Sequence, residues 1–309
     1  MVPPSMEAAV RSIAGLACPA CHGALVSAAE GWTCVECGGG FGRENGVPNF
    51  IVGDRFPDTA ALEVAAYEER ANEACARRWY VPTIARLTAG MPRGRVRVAS
   101  VGCGTGVDVE VLADAGFDAV GFDCGHRNQT WPRRRCADRL LLASGLHAPF
   151  RDGWFDVVIM GCVFPHVGAV GDSFQVAPRY HEDRLALARE MARIVRAGGH
   201  VLVSSPNRRF AFDLFHRHDP HRRVPRRNPA RARFLLSLTD YRALFVEGAG
   251  CRGIEALSIV DYWGFVNMDI SWRTRLLRRL LRTWFQAVSA VPRLRSGPLA
   301  PWLCLDVVR

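Results

Sequence analysis

A run of eleven residues, Val96-Arg-Val-Ala-Ser-Val-Gly102-Cys103-Gly104-Thr105-Gly106, constrains this chain more than any other. An apolar stretch ends in three alternating glycines, and Val107 to Ala115 then follows with apolar residues at helical spacing, closed by Gly116. Strand, glycine turn and helix in that order open a doubly wound α/β domain, whose ligands sit beyond the carboxyl ends of the strands. The glycines let backbone N–H groups approach a ligand that side chains would hold off. A GxGxG pattern alone is weak, so the segments after it matter. Ala119-Val-Gly-Phe-Asp123 reads as a second strand ending in an acid 17 residues past Gly106, suited to accept both hydroxyls of a ribose. Leu140 to Ala143 and Phe155 to Met160 read as strands three and four, the latter entered from an Asp152-Gly153 turn. Ile194 to Ser204 reads as a helix end, a turn at Gly198-Gly199 and a fifth strand; Ile254 to Val260 and Leu303 to Val308 complete the set.

Ahead of this domain stand two cysteine pairs, Cys18-Pro-Ala-Cys21 and Cys34-Val-Glu-Cys37, with twelve residues between them. Each CxxC turn aims two thiolates at one metal, and two turns complete a tetrahedral sulfur shell of the zinc-ribbon kind. Four cysteines leave no position for water, so Cys18, Cys21, Cys34 and Cys37 predict a structural Zn2+ rather than a catalytic one. His22 is read as a bystander. The other seven cysteines are scattered, and the module reads as too small for a core of its own, which the metal replaces. Residues 57–90 read as helical, with Pro82, Gly90, Pro92 and Gly94 marking a boundary. The expected organisation is a zinc ribbon over 1–55, a helical connector over 56–92 and the α/β domain over 93–309.

Five segments in order carry a family resemblance: Ser100-Val-Gly-Cys-Gly-Thr-Gly, Gly121-Phe-Asp123, Ala148-Pro-Phe-Arg-Asp-Gly-Trp-Phe-Asp156-Val-Val, Phe164-Pro-His166-Val and Arg193-Ile-Val-Arg-Ala-Gly-Gly-His-Val-Leu-Val. Together they resemble class I S-adenosylmethionine-dependent methyltransferases, most of all the type 11 branch that acts on small molecules and lipids. Cys34 to Phe50 is similar to the small zinc ribbon fused to, or partnering, such enzymes. The resemblance implies a Rossmann-like seven-stranded methyltransferase sheet over roughly 95–260. It further implies that Gly102, Cys103, Gly104 and Gly106 line the methionine and ribose moieties and that Asp123 holds the ribose diol, with Cys124 against the adenine. Ser144, Gly145 and Leu146 would flank the adenine, while Met160, Gly161 and Cys162 would lie near the sulfonium. Two positions depart from the family, which has an acid where Ser100 stands, near the cofactor's amino group, and an Asp where Ser144 stands. A hydroxyl forms a hydrogen bond about half as strong as a charge-assisted one, so weaker cofactor binding is expected.

Methyl transfer to oxygen or nitrogen needs a positioned acceptor and a base within hydrogen-bond reach. His166, on the loop leaving the fourth strand where the family has a histidine, is the candidate base, the other reading being a structural loop histidine. Tyr180, His181, His216, His218 and His221 rank behind it.

The net charge of +10 suggests nucleic acid, yet all 40 basic residues are arginine and their excess is local. Residues 1–90 hold 7 Arg against 10 acids, 91–200 hold 14 against 12, and 201–309 hold 19 against 8. The slightly acidic ribbon is ill suited to grip RNA phosphates. Basic insertions near 205–233 and 264–297, the second a basic amphipathic helix, leave the carboxyl edge of the sheet and surround the substrate entrance. They fit an anionic acceptor bearing phosphate or carboxylate, with or without an apolar tail, and leave peripheral membrane contact open; the resemblance adds that the acceptor is a small molecule or lipid-like, with O-methylation expected before C- or N-methylation. Two alternatives remain at this point: a ribosomal RNA methyltransferase with an N-terminal zinc site, and a methyltransferase-fold binding protein without activity. With 49% apolar residues a sizeable core is available, and with neither a secretory leader nor a spanning segment legible the expected compartment is the cytoplasm.

Overall fold

The computed structural model describes residues 13–28, 31–53, 62–170, 175–212, 233–262 and 272–309, with backbone alone at 62–68, 126 and 272–278. The two cysteine pairs are presented by one turn used twice. Cys18 N–H bonds Gly23 O at 2.9 Å and His22 N–H bonds Cys18 O at 2.8 Å; in the second copy Cys34 N–H bonds Gly39 O at 2.9 Å and Gly38 N–H bonds Cys34 O at 3.1 Å. Each turn closes through a left-handed residue, His22 at φ 63° and Gly38 at φ 72°. Strands β1 (Leu25–Ala28), β2 (Gly31–Cys34) and β3 (Gly40–Phe41) pair antiparallel and connect the two knuckles. A short hairpin, β4 (Arg43–Glu44) and β5 (Val47–Pro48), follows around Asn45-Gly46, both at positive φ as a two-residue hairpin turn demands.

Helix α1 (Leu62–Cys75), a wider turn over Ala76–Tyr80 and helix α2 (Val81–Leu87) run on from one another. Pro82 does not end this segment as expected. It occupies the first turn of α2, where a proline's missing N–H has no partner to lose. The stop comes at Thr88, whose Oγ1 bonds Ile84 O at 2.8 Å. Trp79, Tyr80 and Ile84 are buried against the domain that follows.

That domain is built on β6 (Arg97–Val101), α3 (Val107–Asp114), β7 (Asp118–Asp123), β8 (Leu140–Leu142), β9 (Phe155–Gly161), α4 (Tyr180–Ile194), β10 (Val195–Pro206), α5 (Leu238–Arg242), β11 (Gly253–Ala256), α6 (Trp272–Ala290) and β12 (Trp302–Val308). Its sheet has seven strands in the order β11-β12-β10-β9-β6-β7-β8. Strands β6 to β10 run parallel where they pair, and β12 lies antiparallel to both β10 and β11. The order reverses at β6, so the crevice of a doubly wound sheet opens over its carboxyl end. The middle strands are apolar on both faces and almost wholly buried, as parallel strands covered by helices must be.

Two expected elements differ. Gly198-Gly199 is not a turn before strand five but an irregularity inside the long β10, where the register with β9 shifts between Val195 and His200. Gly199 is required there because a Cβ would fall 2.8 Å from the Asp156 carbonyl oxygen. The sixth strand ends at Ala256 instead of Val260: Leu257 N–H still bonds Cys304 O at 2.7 Å, but beyond it the backbone finds side chains, with Trp79 Nε1 donating to Ser258 O at 2.9 Å and Ile259 N–H to Ser289 Oγ at 3.2 Å. Of the basic insertions, 213–232 and 263–271 lie outside the described residues, with His216, His218 and His221 among them. The amphipathic helix is present as α6; Phe285 and Val288 are buried while Leu280 is 60% exposed.

Ribbon and domain share one core. The chain entering the ribbon pairs with the loop before β9 (Ala17 N–H to Pro149 O and Arg151 N–H to Gly15 O, both 2.9 Å), and the chain leaving it adds to the free edge of β8, with Phe50 N–H on Leu142 O at 2.7 Å. Ile13, Trp32 and Phe50 join Phe122, Phe150 and Phe155 in the same buried cluster. The module therefore does have a core, borrowed from the sheet whose edge it covers.

Candidate functional site

At the carboxyl end of β6 the chain passes through Gly102, Gly104 and Gly106, all left-handed at φ 67°, 53° and 75°. A Cβ on Gly102 would lie 2.5 Å from Val163 and one on Gly106 2.7 Å from Leu140, so only glycine fits between neighbours at these points. The carbonyls of the turn are drawn away from the crevice by the segment after β7. Trp131 Nε1 donates to Gly104 O at 2.8 Å, Arg134 Nε to Thr105 O at 3.0 Å and Cys136 Sγ to Gly106 O at 3.7 Å. Trp131 is fully buried, and no sequence motif marked it.

Asp123, at the end of β7, faces this turn. Its Oδ2 accepts the Gly104 N–H at 2.8 Å and its Oδ1 the Gly125 N–H at 2.7 Å. Each oxygen keeps a lone pair, so the carboxylate is oriented with capacity left for a diol. Cys103 is buried beneath the turn; burial and the Asp123 charge push its thiol well up, and it packs as an inert group. Cys124 is half-buried beside Asp123. Ser144, Gly145 and Leu146 follow β8, and Ser144 Oγ accepts the Leu146 N–H at 3.2 Å. The turn after β6, Asp123 and Ser144 thus line adjacent strand ends at one edge of the sheet.

Ser100 does not stand alone where an acid was expected. Its hydroxyl donates to the carboxylate of Asp108 on the first turn of α3, which also accepts the Val109 N–H at 2.9 Å. Burial lifts the Asp108 carboxyl from the ordinary 3.8 to about 6, against the lowering pull of those two donors. Sequence reading missed Asp108 because the contact joins a strand to the following helix.

Met160 is buried at the end of β9, Gly161 is exposed, and Cys162 turns the chain at φ 59°. Behind Gly161 lies a buried hydroxyl cluster: Tyr80 reaches Ser204 Oγ at 3.3 Å, Tyr262 also bonds Ser204, and Ser204 Oγ donates to Met160 O at 3.5 Å. Burial pushes both phenols well up, so they stay neutral and cannot serve as bases at ordinary pH. His166 closes a short 3-10 turn, Phe164–His166, with its ring 5.5 Å edge-on to Phe234. Tyr180 and His181 begin α4.

Buried Arg184 holds the loop around His166. Its guanidinium donates to Pro165 O at 3.0 Å, Val167 O at 3.1 Å, Arg233 O at 2.9 Å and Phe234 O at 2.9 Å. Both neighbours of His166, and the residue edge-on to its ring, hang on one side chain. Replacing Arg184 by alanine leaves these carbonyls unpaired, and urea unfolding is expected to show a loss of about 3–5 kcal/mol. Lysine recovers only part, lacking the planar fork. A loss under about 1 kcal/mol for R184A refutes this role.

The four cysteines of the ribbon converge. Their Sγ atoms all lie within 4.8 Å of one another. Cys18 and Cys37 are 3.7 Å apart and Cys21 and Cys34 3.5 Å, close to the edge of about 3.8 Å that a tetrahedron with 2.3 Å metal–sulfur bonds has. The four thiols titrate as one crowded set: the Gly39 N–H and the neighbouring thiols lower Cys37 to about 7, while against the pull of the Gly23 N–H the Cys34 thiol and burial push Cys21 up to about 12. His22 Nε2 points elsewhere, 4.0 Å from the Glu190 carboxylate.

Comparison with known proteins bears on the α/β part. A family model described as a methyltransferase domain matches residues 99–203. Two curated ubiquinone biosynthesis O-methyltransferases of Aliivibrio fischeri, from strains MJ11 and ATCC 700601 / ES114, are 26% and 25% identical over 191 residues, 57% of this chain and 75% of theirs. Among solved structures, a SAM dependent methyltransferase from Archaeoglobus fulgidus matches with a TM-score of 0.47 at 15% identity, covering 82% of this chain and 100% of that one.

Proposed function

From a chain whose residues 99–203 form an S-adenosylmethionine-dependent methyltransferase domain, we propose O-methylation of a small, anionic, partly apolar acceptor, with the ribbon as a structural zinc site. The observation that carries the cofactor site is the pairing of a glycine cradle, too tight for any Cβ at Gly102, with an Asp123 carboxylate oriented by two N–H groups. Gly102, Cys103, Gly104 and Gly106 would take the amino-acid and ribose part, Asp123 the diol, and Cys124, Ser144, Gly145 and Leu146 the adenine. Met160, Gly161 and Cys162 would border the reacting centre. The bound cofactor supplies an electrophilic methyl group on a sulfonium; everything else falls to the chain. Arg184 fixes the loop so that the His166 imidazole can take the acceptor's proton, and the buried hydroxyls behind Gly161 exclude water from that side.

The acceptor class rests on two supports. The curated relatives are O-methyltransferases of ubiquinone biosynthesis, whose name points to an oxygen acceptor. The arginine excess lies in segments attached at the carboxyl edge of the sheet, since β10 ends at Pro206 opposite Trp302, where β12 begins. Incubation with radiolabelled cofactor and a panel of hydroxylated aromatic acids, with and without an alkyl chain, tests this: labelled ether product is expected from the acids and little from neutral analogues. H166A is expected to lower kcat about 100-fold with unchanged S-adenosylhomocysteine affinity. Equal turnover of neutral analogues, or full activity in H166A, would contradict the corresponding part of the proposal.

A further inference from the structure

A carboxylate pressed out of water needs either a proton or a cation. Among the described residues Asp108 pairs with no arginine or histidine; its oxygens meet only the Ser100 hydroxyl and the Val109 N–H. Ser100 is itself buried, 3% exposed, on the last turn of strand before Gly102, so the hydroxyl brings the helix carboxylate back to the strand end. Two carboxylates thus bracket the glycine turn. Asp123 is tied to the Gly104 amide, and Asp108 stands on the first turn of the helix that follows Gly106, near enough for the two charges to disfavour one another. The ligand such a turn suits carries a diol toward Asp123 and a positive charge toward Asp108.

We propose that Asp108, presented by the Ser100 hydroxyl, is a cofactor-binding residue that receives the ammonium group of the cofactor's amino-acid end. The assignment rests on the methyltransferase reading of the domain. It gives Ser100 a positioning role: the hydroxyl occupies one lone pair of Asp108 Oδ2 and so orients the carboxylate. The negative charge that this turn lacks at residue 100 is restored from the first turn of the next helix, eight residues further along the chain.

Titration calorimetry of the full chain with two probes tests it. S-adenosylhomocysteine carries the ammonium; methylthioadenosine has the same adenine and ribose but no amino-acid group. D108N is expected to weaken S-adenosylhomocysteine at least about tenfold, the loss of one charge-assisted hydrogen bond, and to leave methylthioadenosine unchanged. If D108N fails to fold, S100D/D108S, which moves the acid to the strand end, is expected to bind S-adenosylhomocysteine within about threefold of the parent. A purely structural Asp108 would show equal losses for both probes, and that result, or no loss for either, overturns the assignment alone. A parent chain that binds neither probe overturns the cofactor reading itself, and Asp108's role with it.

Discussion

Replacing Cys34 by serine is expected to release the zinc ion and to lower the unfolding temperature by about 10 °C or more. The size of the effect follows from where the ribbon sits. In an isolated module the loss would stay local, but here Trp32 and Phe50 pack with ring centroids 5.0 Å apart and belong to the same buried cluster as Phe150 and the β9 residue Val158. Opening the metal site exposes those rings and strips the outer edge from β8, whose Leu142 carbonyl bonds Phe50. Strand β8 leads directly into Ser144 and Gly145, so cofactor affinity is expected to fall with stability. Metal content by plasma emission and unfolding by calorimetry check both halves. A chain purified with H22A is expected to keep its zinc, since His22 is directed at Glu190. Melting of C34S within about 2 °C of the parent would show that the ribbon contributes no shared core.

Asp123→Ala is expected to reduce affinity for S-adenosylhomocysteine and for methylthioadenosine alike by about 100-fold or more. Two charge-assisted hydrogen bonds to a ribose diol contribute about 3–6 kcal/mol together, and the mutation also frees the Gly104 and Gly125 N–H groups that the carboxylate now holds. Because both probes carry the ribose, both should suffer, which separates this residue from Asp108. Asn is expected to fall between, since its amide oxygen can accept from one of the two glycines but carries no charge. Circular dichroism should show the fold retained, as Asp123 is half-exposed at a strand end. Tight binding of either probe to D123A would remove the diol from this position.

How much of this was readable beforehand can be judged residue by residue. Cys18, Cys21, Cys34 and Cys37 were legible because a metal shell is written in local spacing, and each CxxC forms its own turn. The glycine turn and Asp123 were legible because both lie within one strand–turn–helix–strand unit of short sequence separation. Trp131, Arg134 and Cys136, which draw the carbonyls of that turn aside, carry no pattern: their partners are backbone atoms, which every residue has. Arg184 belongs to no motif, and only the packing of α4 against the loop at Pro165–Val167 makes it a buried clamp. Gly198-Gly199 was misjudged for a related reason, as the close approach of Asp156 O that requires Gly199 is a contact between distant segments.

By itself the amino-acid sequence determined the order of elements, the doubly wound sheet, the glycine turn at the end of β6 and the convergence of four cysteines, because hydrophobic period, glycine placement and cysteine spacing act over a few residues. Tertiary structure alone decided that the ribbon shares the sheet's core, that Ser100 is partnered by Asp108, and that the loop of His166 hangs on Arg184. Those outcomes depend on which backbone and side-chain groups are brought together away from water, where a carboxylate or guanidinium must find partners, and no local pattern specifies which partners those will be.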